Sequence, residues 1–160
     1  MSTQQFQGLV WDVFLRIVRE TPQWSGKAVA NWNISVGSPD LDVHVDVPEI
    51  DLGTDTPFQK GDRKWETVAW NRNRPIKNSL KYTDKVFISN GVMGDGEWGD
   101  GHTAFAYMQA IQYPGKWRDR LRVVNQPYES VQESLMIVAS QYMRKGLGLS
   151  KVGGNTMEDA

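Results

Sequence analysis

Cysteine is absent from the 160 residues, so a disulfide framework, a thiolate metal site and a cysteine nucleophile are all excluded, as befits synthesis in a reducing cytoplasm. Histidine is scarce, with only His44 and His102. Charge of one sign is not in excess: 18 Lys and Arg against 19 Asp and Glu leave a net charge of −1, which excludes a strongly basic nucleic-acid coat. Long hydrophobic runs are also missing. The most apolar stretch, residues 9–18, is interrupted by Asp12 and Arg16 and is too short to cross a bilayer. The opening Met-Ser-Thr-Gln-Gln lacks the basic start of a signal peptide. The expectation is a single domain over residues 1–146, made in the cytosol, with a flexible tail over 147–160.

Apolar periodicity supplies the elements. Val10, Val13, Phe14, Ile17 and Val18 repeat at helical spacing, predicting a helix over residues 8–20 that stops before Pro22. Trp32, Ile34 and Val36 alternate as in a strand closed by the turn Gly37-Ser38-Pro39, and Leu41, Val43, Val45 and Val47 predict a second strand ended by Pro48. A short helix over 65–70, broken before Pro75, and a strand over 85–89 follow. Beyond them the pattern predicts a helix over 103–113, a strand over 120–124 and a long helix through Val131, Leu135, Val138 and Tyr142 that is capped at Gly146. The order predicts an α+β fold: an antiparallel or mixed sheet with a long N-terminal and a long C-terminal helix packed on one face. Charge is divided along the chain. Residues 40–55 hold six acids (Asp40, Asp42, Asp46, Glu49, Asp51, Asp55) and no base, whereas residues 60–85 hold eight bases.

Candidate chemistry is sparse. Residues 94–99 match G-x-G-x-x-G, but Asp95, Glu97 and Asp100 would repel a phosphate. An EF-hand register starting at Asp95 fails, since Asp100 takes the glycine position and Ala106 the glutamate position; a non-EF calcium site is the alternative to a solvated loop. His44 shares a predicted strand face with Asp42 and Asp46, where a metal or acid–base site can be drawn, although alternating acids and valines equally describe a sheet with one wet face. His102 has no nucleophile in view, and no pair of carboxylates can be placed at the separation a hydrolase needs. Of the seven tryptophans, Trp11 and Trp32 are expected in the core. Trp24, Trp98 and Trp117 fall beside glycine or proline in loops and are expected, with Asp95, Glu97 and Asp100, to anchor a subunit interface.

Three stretches carry a resemblance. Thr21-Pro22, Ser25-Gly26-Lys27 and Asn31-Trp32 form one, Val86-Phe-Ile-Ser89-Asn90 the second, and Tyr107-Met-Gln-Ala-Ile-Gln-Tyr113 the third. Together, and in their order over about residues 5 to 145, they resemble the neck and tail-completion proteins of tailed bacteriophages. The chain departs from that pattern at Gln23-Trp24, at Gln112 and in the longer, more acidic loop over 91–101. The resemblance implies a structural virion protein without a catalytic centre or cofactor, assembled in the host bacterial cytoplasm. It would form a homo-oligomeric ring, a hexamer or dodecamer, at the head–tail junction. Its neighbours would be connector or portal-adaptor proteins on one side and tail-tube or terminator proteins on the other, with genomic DNA only as passing cargo and no membrane. A tail terminator or stopper is the alternative within that class. In a different class stands a Trp-rich module for carbohydrate or single-stranded nucleic acid, with Trp65, Trp70 and Tyr82 beside Lys and Arg.

Overall fold

A computed structural model describes residues 1–51, 53–92, 131–145, 151–153 and 156–158. Helix α1 spans Thr3–Glu20, beginning ahead of the apolar stripe because Ser2 and Gln5 form a reciprocal cap. Ser2 Oγ accepts from the Gln5 amide (3.1 Å), and the Gln5 side chain accepts from the Ser2 amide (2.8 Å). Its stripe of Phe6, Leu9, Val10, Val13, Phe14, Ile17 and Val18 is buried. Thr21 caps the C-terminus with extended backbone, and Pro22 prevents continuation.

The spacer expected to lead directly from Lys27 into a strand instead includes a four-residue helix, α2 (Lys27–Ala30). Gly26 starts it at φ 90°, a backbone conformation that an L side chain adopts only under strain. A second reason for glycine is packing, since a Cβ there would sit 2.6 Å from Trp65 Cγ. Strand β1 (Asn33–Val36) then pairs antiparallel with β2 (Val86–Ser89), Asn33 opposite Ser89 and Val36 opposite Val86.

Helix α3 (Arg63–Ser79) links the two strands. It runs through Pro75, correcting the expected break. The proline removes the donor for the Asn71 carbonyl one turn earlier, but Pro75 and Asn71 are both exposed, so water can satisfy that group. The expected strand over 41–47 is not a strand either. Its backbone is held by side chains: Asn31 bonds both the amide and the carbonyl of Val45, and Asn33 Nδ2 donates to the carbonyls of Asp40 and Asp42. Of the alternating apolar residues only Val47 is buried, while Leu41 is 62% and Val43 50% exposed.

Helix α4 (Val131–Arg144) buries Leu135, Val138 and Ala139 in the same core as α1. Tyr142 Oη donates to Asp12 Oδ2 (2.5 Å). Strands β3 (Lys151–Gly153) and β4 (Thr156–Glu158) pair as an antiparallel hairpin. The architecture is therefore α+β, with an antiparallel β1–β2 pair and a core formed by α1, α2, β1, α3 and α4. No helix among the described residues is long and apolar enough to cross a membrane. The readings placed on 94–113, 117 and 120–124 lie outside the described residues.

Trp32 is 5% exposed. Trp32→Ala is expected to cost about 3–5 kcal/mol in chemical denaturation, the range for deleting a large core aromatic. Gly26→Val combines left-handed strain with overlap on Trp65 and should cost at least about 2 kcal/mol; an unchanged melting curve would contradict both reasons given for the glycine.

Candidate functional site

Helix α1 must hand over to β1 within a dozen residues, and the handover is made by side-chain hydrogen bonds. Thr21 Oγ1 donates to the Ile17 carbonyl (2.6 Å) and accepts from Trp32 Nε1 (3.0 Å), so the end of α1 is tied to the entry of β1 through two buried side chains. Ser25 Oγ accepts from the Lys27 amide (3.2 Å), stabilising the turn before α2. Asn31 Nδ2 reaches both the Lys27 carbonyl (2.9 Å) and the Val45 carbonyl (3.0 Å). On the neighbouring strand, Ser89 Oγ bonds the amide and the carbonyl of Asp40, and Asn90 Nδ2 donates to the Ala28 carbonyl (2.7 Å). Thr21, Pro22, Ser25, Gly26, Lys27, Asn31, Trp32, Ser89 and Asn90 are thus gathered into one joint between α1, α2, the β1–β2 pair and the 40–45 run.

Three residues central to this joint were not singled out from sequence. Asn73, fully buried on α3, accepts from the Ile34 amide (2.8 Å) and donates to the carbonyls of Trp32 (2.9 Å) and Ala69 (2.8 Å). Arg72 donates to Asn33 Oδ1 (2.5 Å) and to the carbonyls of Ala30 (2.7 Å) and Trp32 (3.1 Å). Asn33 is the third. The available signal was asparagine itself, a poor helix and strand former whose side chain competes for backbone partners.

The candidate interface residue Trp24 is 8% exposed and packs within its own chain, its carbonyl accepting from the Phe58 amide (2.9 Å). Asp95, Glu97, Trp98, Asp100 and Trp117 lie outside the described residues. The partner of His44 is Asp40: His44 Nε2 and Asp40 Oδ2 are 2.7 Å apart. With Asp42 they form a group whose possible ligand atoms lie within 4.8 Å of one another, although His44 and Asp42 are exposed. Ser89 Oγ is engaged with the Asp40 backbone, so it is not paired with His44 as a nucleophile.

The aromatic residues beside the basic segment turn inward. Trp65 and Trp70 pack against the core, and Tyr82 meets Phe6 edge-on at 5.8 Å. Cations cover exposed ring faces: Lys64 lies 4.9 Å from the Trp65 ring and 5.6 Å from Phe58, and Arg74 and Lys77 lie over Trp11. A cleft of about 230 Å³ opens beside Lys64, lined by Glu49, Ile50, Asp55, Phe58 and Trp65 among others.

Two carboxyls shift in opposite directions. Burial pushes Asp40 up, but the Asp42 amide, the bond and charge of His44 and the charge of Arg72 together outweigh it and hold the group below its usual range. Glu66, 2% exposed on α3 with one carboxylate oxygen lacking a hydrogen-bond partner, is raised by burial, against the pull of Arg19 and Arg63 and with a push from Asp62.

Comparison of the chain with known protein families, with curated proteins and with solved structures finds no match.

A raised carboxyl favours the folded state while protonated, so the Glu66 contribution is fully present below its ordinary value of 4.5 and is lost as pH rises through the raised value. Glu66→Gln should therefore melt higher than the parent protein at pH 8, with the gap closing by pH 4. A gap that widens on acidification would reverse the assignment. Asp40→Asn should show the opposite sense, destabilising at neutral pH and converging with the parent as pH falls through the lowered value.

Proposed function

We propose that the chain is a structural subunit of the tailed-bacteriophage head–tail junction, assembling with copies of itself into a ring that completes the neck or tail and leaves a bore for DNA. A tail terminator or stopper ring is the same reading at a neighbouring level of the junction. The observation that carries it is the Thr21–Trp32 joint. The residues of the first two stretches of the resemblance meet there and fix the path from helix to strand, as a shared scaffold would require. In this reading β1 and β2 belong to a larger sheet whose one face is covered by both long helices, and the ring docks between connector and tail-tube proteins within the virion.

The single-strand-binding alternative needs Trp65, Trp70 and Tyr82 as exposed stacking platforms. Their packing against the core favours the scaffold reading. For a bore, acids facing the passing duplex would limit adhesion of its phosphates.

Fluorescence titration of the purified protein with single- and double-stranded DNA at physiological salt, together with electron microscopy, tests the proposal. The expected result is weak or no binding and ring-shaped particles. Tight, salt-sensitive binding of single strands with no rings would replace the scaffold with a nucleic-acid module.

A further inference from the structure

Opposite charge gathers on the segments beside the two ends of helix α3. At its start, Glu49 and Asp55 line the cleft with Phe58, Lys64 and Trp65. Lys60 is neutralised there by Glu20 at 2.7 Å, and the Lys64 ammonium rests on the Phe58 and Trp65 rings. Two carboxylates against one ammonium give the cleft lining a net negative charge, and of the exposed residues that flank it in sequence Asp51 and Asp62 are acidic and Arg63 is basic. At the other end, Arg74, Lys81 and Lys85 are exposed, and Asp84 is the only acid between residues 74 and 85.

The two ends cannot neutralise each other within one chain. From Trp65 to Ser79 a helix rise of 1.5 Å per residue gives about 21 Å, far beyond the reach of one lysine. They are complementary patches on the segments before and after one helix. This is the arrangement of a heterologous, head-to-tail contact, in which each copy offers one patch and receives the other, so that a closed ring satisfies all of them.

We infer that the cleft at the start of α3 receives the basic turn at the end of α3 from a second copy of this chain, with Lys81 or Lys85 entering between Glu49 and Asp55 beside the Phe58 and Trp65 rings. Lys64 already shows that these rings accept an ammonium. The carboxylates supply the charge-assisted bonds that would select a lysine or arginine over a neutral side chain. The inference rests on the ring-forming role proposed above and names the surfaces that close the ring.

Native mass spectrometry and sedimentation velocity on the full chain, at low and high salt, provide the test. Glu49→Lys with Asp55→Lys, and separately Lys81→Glu with Lys85→Glu, should each weaken self-association by about tenfold or more, while thermal melts confirm folding. An equimolar mixture of the two variants should reassemble, because the reversed cleft of one now matches the reversed turn of the other. The milder pair Lys81→Gln with Lys85→Gln should flatten the salt dependence of assembly. Rings that form equally well in all variants would overturn the inference and leave the ring itself standing. A parent protein that stays monomeric at every concentration and salt tested would overturn both.

Discussion

The carbonyl of Trp32 and the amide of Ile34 are buried against a helix instead of a neighbouring strand, and both must still be hydrogen-bonded. Asn73 and Arg72 meet that requirement from α3, standing in for the missing edge of a sheet. The rest of the joint follows from this constraint. With α3 clamped to β1, Gly26 must lack a side chain so that Trp65 can lie over it, and Trp32 is placed to bond Thr21 at the end of α1. Removing any one group would leave a buried partner unsatisfied, which costs more than the bond itself contributes.

The same economy of side-chain amides explains the acidic run after β1. Residues 40–45 lie extended beside the core without joining a ladder, because Asn31 and Asn33 occupy their inward-facing backbone groups. Leu41 and Val43 remain exposed on this run. The cluster of Asp40, Asp42 and His44 is displayed on this run, with Ser89 bonding Asp40 at both backbone groups.

Electrostatics divides between the inside and the outside of the molecule. Arg72 is drawn into the joint, where its charge helps hold Asp40 below the usual carboxyl range, while burial holds Glu66 above it. Outward-facing cations lie over aromatic rings at Trp11, Trp65 and Phe87, keeping charge at the surface while covering apolar area.

Periodicity determined α1 and the apolar stripe of α4, since each buries one face and the burial writes its own repeat into the sequence, while runs of β-forming residues marked the β1 and β2 segments. The resemblance, not periodicity, drew attention to Gly26, where the left-handed backbone favours glycine, and alternation placed Trp32, a large buried ring, in the core. The failures share a cause. Alternation at 41–47 imitates a strand, yet whether a strand forms depends on what its backbone bonds, and Asn31 and Asn33 reach it only after folding. Pro75 announces a helix break, yet the break is avoided because that turn of α3 faces solvent. Trp24 reads as a loop residue, yet it is 8% exposed, a burial that local pattern does not register. Local pattern records which face of an element is apolar, whereas the partners of buried polar groups come from residues some 40 positions away, as between Asn73 and Trp32, and only the tertiary structure brings those together.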